Sequence, residues 1–214
     1  MSKKHYILMA DIVASRALDK REDFMGTFKE LTQNVNSHFK QQIVSPLTIT
    51  LGDEFQGIVM DAKTLFEVVF YLEEQLIEQG QPFQLRYSMV YGLIETPINP
   101  KIAYEMYGPG LTTARELLQS AKDNGQYYAV NLQESLTEKL SLCMHLYQSI
   151  KTAWKPTELS IVSAFIKYQD YKDLARIGLY KTRSGAWKKG KSLRIEDYRT
   201  VKALIFLILK NGRS

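Results

Sequence analysis

Apolar and polar positions alternate along the chain in two different periods, and the switches between them mark out the elements. The run His5-Tyr6-Ile7-Leu8-Met9-Ala10-Asp11-Ile12-Val13 reads as a buried strand. Apolar residues then recur at spacings of three and four through Phe24, Phe28, Leu31, Val35, Phe39 and Ile43, which makes one face of a helix. Thr48–Thr50 and Phe55–Met60 flank a polar break of Gly52, Asp53 and Glu54, as a β-hairpin with acidic residues at its tip does. A second amphipathic helix is expected over Ala62–Gln79, stopped by Gly80-Gln81-Pro82. A strand over Phe83–Glu95 follows, then a helix opened by Gly108-Pro109-Gly110 with Leu111, Ala114, Leu117, Leu118 and Ala121 inward, then a strand over Gln126–Asn131.

The order βαββαβαβ fits neither a parallel βαβ array nor an all-β protein. It predicts an α+β fold of the ferredoxin-like or palm type, with an antiparallel-rich sheet and helices on one face. Beyond it the pattern is wholly helical. Thr157 can cap a helix running to Tyr168, a short helix spans Asp170–Ile177, Gly178 breaks the chain, and Ile195–Leu209 makes a long closing helix. With the basic segment Lys181–Lys189 between them, these elements have the layout of a helix-turn-helix. Two domains are expected, 1–150 and 153–214, joined at Lys151–Pro156.

Charge separates the same two parts. Residues 153–214 carry 14 Lys and Arg against 5 Asp and Glu, a balance of +9, while residues 1–152 stand at −4 within a chain of +5. The basic part is expected to meet DNA through Lys181, Ser184, Lys188 and Lys191, which recur at helical spacing, with Arg183 next to them; Trp187 packs into the module or touches the partner. The other reading is a helical appendage with a solvated basic face. Ala175 and Gly178 stand one place closer than the helix-turn-helix pattern has them, and Gly185 weakens the presumed recognition helix by about 1 kcal/mol relative to Ala.

Chemistry is expected at Asp11 and Asp53. A carboxylate inside an apolar strand is costly unless it is paired or bound to a cation. If the first strand and the hairpin are neighbours, the two acids face one another and suit Mg²⁺ or Mn²⁺ together with a ligand's phosphates. The turn at Ser15 and Arg16, between a strand and a helix, offers backbone N–H groups to a phosphate, or is an ordinary loop. Gly92, inside a strand, marks a ligand contact or the close approach of a helix.

Asp11-Ile12-Val13-Ala14-Ser15-Arg16, Leu51-Gly52-Asp53-Glu54-Phe55-Gln56-Gly57, Arg86 to Gly92, and Gly108-Pro109-Gly110 with Ala114-Arg115-Glu116 resemble the SatD family. The same milestones, in the same order, are similar to those of class III nucleotide cyclase and GGDEF domains. The resemblance implies that Asp11 and Asp53 hold metal ions at a nucleotide's phosphates and that Glu54 takes the place of the glutamate of the GDEF signature. It also implies that Glu105 stands where cyclases carry an acidic base-selecting residue, and that such domains pair as homodimers. The cyclase pattern is incomplete here. Ile49 stands where cyclases have a base-selecting lysine, and Thr112 and Glu116 fall where they have the Asn and Arg that assist the transition state, with Arg115 one place away. The leading expectation is a sensor of a metal-nucleotide or phosphorylated small molecule joined to a DNA-binding helix-turn-helix. The alternatives are an active nucleotidyl cyclase or phosphoryl-transfer enzyme, and an interaction module with a vestigial site.

A single cysteine, Cys143, allows no internal disulfide and fits a reducing compartment. The run Leu204–Leu209 is far short of the ~20 residues that a membrane span needs. A cytoplasmic protein is expected.

Overall fold

The computed structural model describes residues 3–13, 21–50, 52–81 and 83–212. The chain divides into two compact units, Met1–Glu73 with Phe83–Ser141, and Glu74–Pro82 with Leu142–Ser214. The division falls inside two helices, those over Ala62–Glu78 and Glu134–Lys151.

The first unit is built on β1 (Lys3–Ile12), α1 (Arg21–His38), β2 (Ile43–Ile49), β3 (Glu54–Val59), α2 (Ala62–Glu78), β4 (Leu85–Ile94), α3 (Pro109–Asp123), β5 (Tyr128–Asn131) and the start of α4 (Glu134–Lys151). The strands form one sheet in the order β2-β3-β1-β4-β5. Its pairings are antiparallel except β4–β5, which is parallel, so the sheet is mixed. The helix expected to continue to Ile43 ends at His38, because Ile43 pairs with Val59 and opens β2.

Registers fix which side chains share a face. Ile7 lies opposite Ile58 and Val90, and these three pack with Met9 against Leu111, Ala114 and Leu118 of α3. The neighbouring positions, Leu8, Ala10 and Phe55, point the other way, where Phe28 of α1 meets Phe55 at a ring separation of 5.5 Å. Helices therefore cover both faces, and the expectation of a single covered face is corrected. Of the three crossovers between parallel strands, β1–α1–β2, β3–α2–β4 and β4–α3–β5, the first and the last lie on opposite faces of this strand order and so have opposite hands. One of them departs from the usual right-handed rule.

α3 can come this close because its first turn meets β4 glycine against glycine. A Cβ on Gly92 would stand 2.4 Å from the Cα of Gly110, and one on Gly110 would stand 2.6 Å from the carbonyl carbon of Gly92. Gly92 thus serves helix packing, the plainer of the two readings its position in the strand allowed.

In the second unit, a 3₁₀ turn (Pro156–Glu158) leads to α5 (Leu159–Lys167), α6 (Tyr171–Arg176), α7 (Arg183–Ser192) and α8 (Ile195–Asn211). Thr157 lies inside the 3₁₀ turn rather than capping α5, because the chain tightens there and Glu158 accepts from the Lys155 amide. Asp170 and Thr182 do cap their helices, accepting from the amides of Lys172 and Gly185. The core is aromatic: Tyr147 and Trp154 both pack on Tyr198, and the Trp154 indole donates to the carbonyl of Leu193 at 2.7 Å. Burial of each such side chain is worth about 1.5–3 kcal/mol. α7 lies close to α6 at Gly190, where a Cβ would stand 2.9 Å from the Tyr171 ring. Cys143 is a buried thiol whose pKa burial raises, and His145 is exposed.

Candidate functional site

Asp11, next to last in β1, lies on the α3-covered face, directly across from Arg86 at the start of β4 and from Glu54 at the start of β3. The guanidinium of Arg86 donates from Nη1 to both carboxylate oxygens of Asp11, at 3.0 and 2.9 Å, and from Nε to the carbonyl of Gln126 at 3.2 Å. The side chains are 6% and 16% exposed, so this is a nearly buried ion pair. The charge expected to need a partner has one. Burial raises the pKa of Asp11 above its ordinary value, while Arg86 and Lys122 pull it down and Asp53 adds to the rise. Asp53 is thus close enough to act on Asp11 electrostatically, and its backbone carbonyl accepts from the Ile12 amide at 3.0 Å. The hairpin is closed from Thr50 to Glu54 across Gly52, which has a φ of 80°.

Glu54, at the first position of β3, forms a 2.9 Å ion pair with Arg115 of α3. That pair links the hairpin to the rim of a cleft of about 640 Å³ lined by Gln56, Glu105, Thr112, Arg115 and Glu116 over an apolar floor that includes Met9 and Leu111. Gln56 is anchored by donating to the carbonyl of Ala103, which holds the 103–107 loop over the sheet edge. Glu105 sits in that loop with φ of 60°, a backbone conformation that costs a non-glycine residue of order 1 kcal/mol and recurs at ligand-binding sites.

The structure thus gathers the expected residues into two neighbouring groups on one face. Asp11 and Asp53 form the first with Arg86, which the strand pattern marked as a landmark without giving it a role. Its signal was available, since an arginine opening a buried strand needs an acid beside it. Glu105, Thr112, Arg115 and Glu116 form the second, with Glu54 bridging to them. Ser15 and Arg16 lie outside the described residues, as does Leu51.

No cluster of three His, Cys, Asp or Glu is present among the described residues. Mg²⁺ commonly takes one or two protein carboxylates and completes its shell with water and ligand phosphates. With both Asp11 oxygens held by Arg86, Asp11 and Asp53 do not make a cage for a resident ion.

In the second unit, Lys181, Arg183, Ser184, Lys188 and Lys191 are all exposed on or beside α7. Trp187 is 48% exposed among them.

The SatD family model matches residues 6–177. The chain belongs to the SatD family. No curated protein matches this SatD chain. Solved structures similar to it include the guanylate cyclase domain of RhGC from Catenaria anguillulae in complex with GTP, at 17% identity over 56% of this chain and 75% of that one, with a TM-score of 0.42. A bacterial light-regulated adenylyl cyclase is similar at 12% identity over 61% of this chain and 43% of that one, with a TM-score of 0.47. A dimeric guanylyl cyclase domain of the RhoGC fusion protein from Blastocladiella emersonii is similar at 17% identity over 56% and 76%, with a TM-score of 0.40. Among the described residues, no helix of this SatD protein is long and apolar enough to cross a membrane.

Proposed function

We propose that this SatD-family protein is a ligand-responsive regulator. Its first unit takes a nucleotide or another phosphorylated small molecule together with Mg²⁺ or Mn²⁺, and its second unit binds DNA through α7 as a helix-turn-helix does. The observation that carries the first half is the Asp11–Arg86 pair beside Asp53, at one end of a sheet face that also bears the Glu105 cleft. A cation and a phosphate entering together bring one positive and one negative partner, and the pair can open to Asp11 for the cation and Arg86 for the phosphate with charge balanced at each step. Bound there, the cation would neutralise phosphate charge.

Binding without turnover is the form this reading takes. The positions that resemblance gives to transition-state donors hold Thr112 and Glu116, and Arg115 is engaged by Glu54. Pairing of two copies, as the resemblance implies, and a cytoplasmic location belong to the same proposal. A second reading, an interaction module with a vestigial site, is favoured by the Asp11–Arg86 pair itself, which satisfies both charges with no ligand.

Thermal unfolding separates the two. With Mg²⁺ and ATP, GTP, CTP or UTP at ~100 times the dissociation constant, at least one nucleotide should stabilise the protein by about 2.7 kcal/mol, and Asp53→Ala should abolish that gain. A wild-type midpoint that none of the four nucleotides moves would favour the interaction module, and a gain kept in Asp53→Ala would place nucleotide binding away from Asp53.

A further inference from the structure

The exposed face of α7 combines two features that a purely electrostatic surface does not need to share. One is uncompensated positive charge. Residues 183–192 contain no acid; of the unit's other acids Glu158 pairs with Lys189 of α7 itself, while Asp173, Glu196, Asp197 and Glu74 pair outside this helix, with Arg176, Arg199, Arg194 and Lys202. Lys181, Arg183 and Lys188 form no ion pair among the described residues, and they point to a polyanion.

The other feature is the indole of Trp187, half in solvent in the midst of these cations, with the ammonium of Lys191 5.9 Å from its ring centre. Arg183, Trp187 and Lys191 follow one another at i, i+4 and i+8, so the ring stands in a line between two cations. The apolar side of the helix is used inside the unit, where Ala186 and Gly190 are buried. One ring on an otherwise polar face is too little for insertion into a lipid surface, which takes a whole apolar face. A polyanion that also offers apolar groups between its charges is a nucleic acid, and in a duplex those groups are the thymine methyls of the major groove.

We infer that Trp187 is the base-contacting residue of this face, packing its indole on thymine methyl groups in the major groove while Arg183, Lys188 and Lys191 hold the flanking phosphates. The inference rests on the DNA half of the proposed function and adds where its sequence preference comes from. Phosphate contacts alone would bind every duplex alike.

The test uses the full-length protein and two duplexes of about 30 base pairs, one alternating adenine and thymine, the other alternating adenine and uracil. They differ only in the 5-methyl groups. Tighter binding to the thymine duplex is expected, by about fourfold for each methyl buried. Trp187→Ala should bind both duplexes equally and keep the wild-type salt dependence, whereas Arg183→Ala with Lys188→Ala should lower the salt slope by about two units and keep the preference for thymine. Emission of Trp187 should change on binding, and with Trp154 buried that change should vanish in Trp187→Ala. Equal wild-type affinity for the two duplexes, or a preference that survives in Trp187→Ala, would overturn the role of Trp187 and leave the DNA reading standing. Absence of binding to either duplex at low salt, or tighter binding to vesicles of anionic lipid, would overturn both.

Discussion

Replacing Arg86 by Met is expected to destabilise the first unit by about 3–5 kcal/mol at neutral pH, because it leaves Asp11 charged and unpaired in a nearly buried position. The loss should depend on pH in a definite direction. Burial already raises the pKa of Asp11, and removal of the guanidinium takes away the largest opposing influence, so in the variant it rises further. A carboxyl whose folded-state pKa exceeds its unfolded value adds stability that is fully present below the unfolded value, near 4, and is lost as the pH climbs through the folded pKa. The deficit relative to wild type should therefore shrink from neutral to acidic pH as Asp11 takes up a proton. Urea unfolding of the two proteins at neutral and at acidic pH measures it. A deficit that stays constant would mean that Asp11 is not the group left stranded, and that the lost hydrogen bond to the Gln126 carbonyl or the lost packing dominates.

Gly92→Ala is expected to cost about 3 kcal/mol, the upper end for overpacking, since the new methyl meets backbone on the facing helix and neither side has a flexible end to move. The same change should loosen the Glu105 cleft, because Gly110 opens the helix that carries Thr112, Arg115 and Glu116. Denaturant midpoints give the first effect. Proteolysis within the 103–107 loop gives the second, faster in the variant if α3 has lifted and unchanged if the sheet has absorbed the strain.

The element order was readable because each element obeys a local rule. The continuous apolar run of β1 and the period-3.6 run of α3 separate cleanly, glycine and proline mark the turns, and the basic helix announces itself by composition. What pattern alone could not place was the face that α3 covers. Amphipathicity says that a helix has a buried side, not which side of the sheet receives it. The end of α1 was misjudged for a related reason: Ile43 keeps the helical spacing, but pairing with Val59 decides its state.

The candidate site was legible as pairs of acids and illegible in its balance. Asp11 stood out as a charge in an apolar strand, and the pairing of β1 with both β3 and β4 brings it to Glu54 and Arg86 at once. Nothing local to Asp11 tells whether a metal ion or an arginine from a strand 75 residues away will satisfy it. Arg86 does so, and this makes the ligand-free site electrically closed. Likewise Trp187 sits at a spacing that suits either a core or an exposed face; only the burial of Ala186 and Gly190 beside it decides that the indole faces outward.

Binding without turnover is the claim on which the regulator reading depends, and it is tested most directly by incubating the purified full chain with Mg²⁺ or Mn²⁺ and each nucleoside triphosphate and resolving the products by chromatography. The account predicts that every nucleotide is recovered intact, at the level of a protein-free control. Formation of a cyclic or otherwise cleaved nucleotide that disappears in Asp11→Ala would contradict it and make the protein an enzyme.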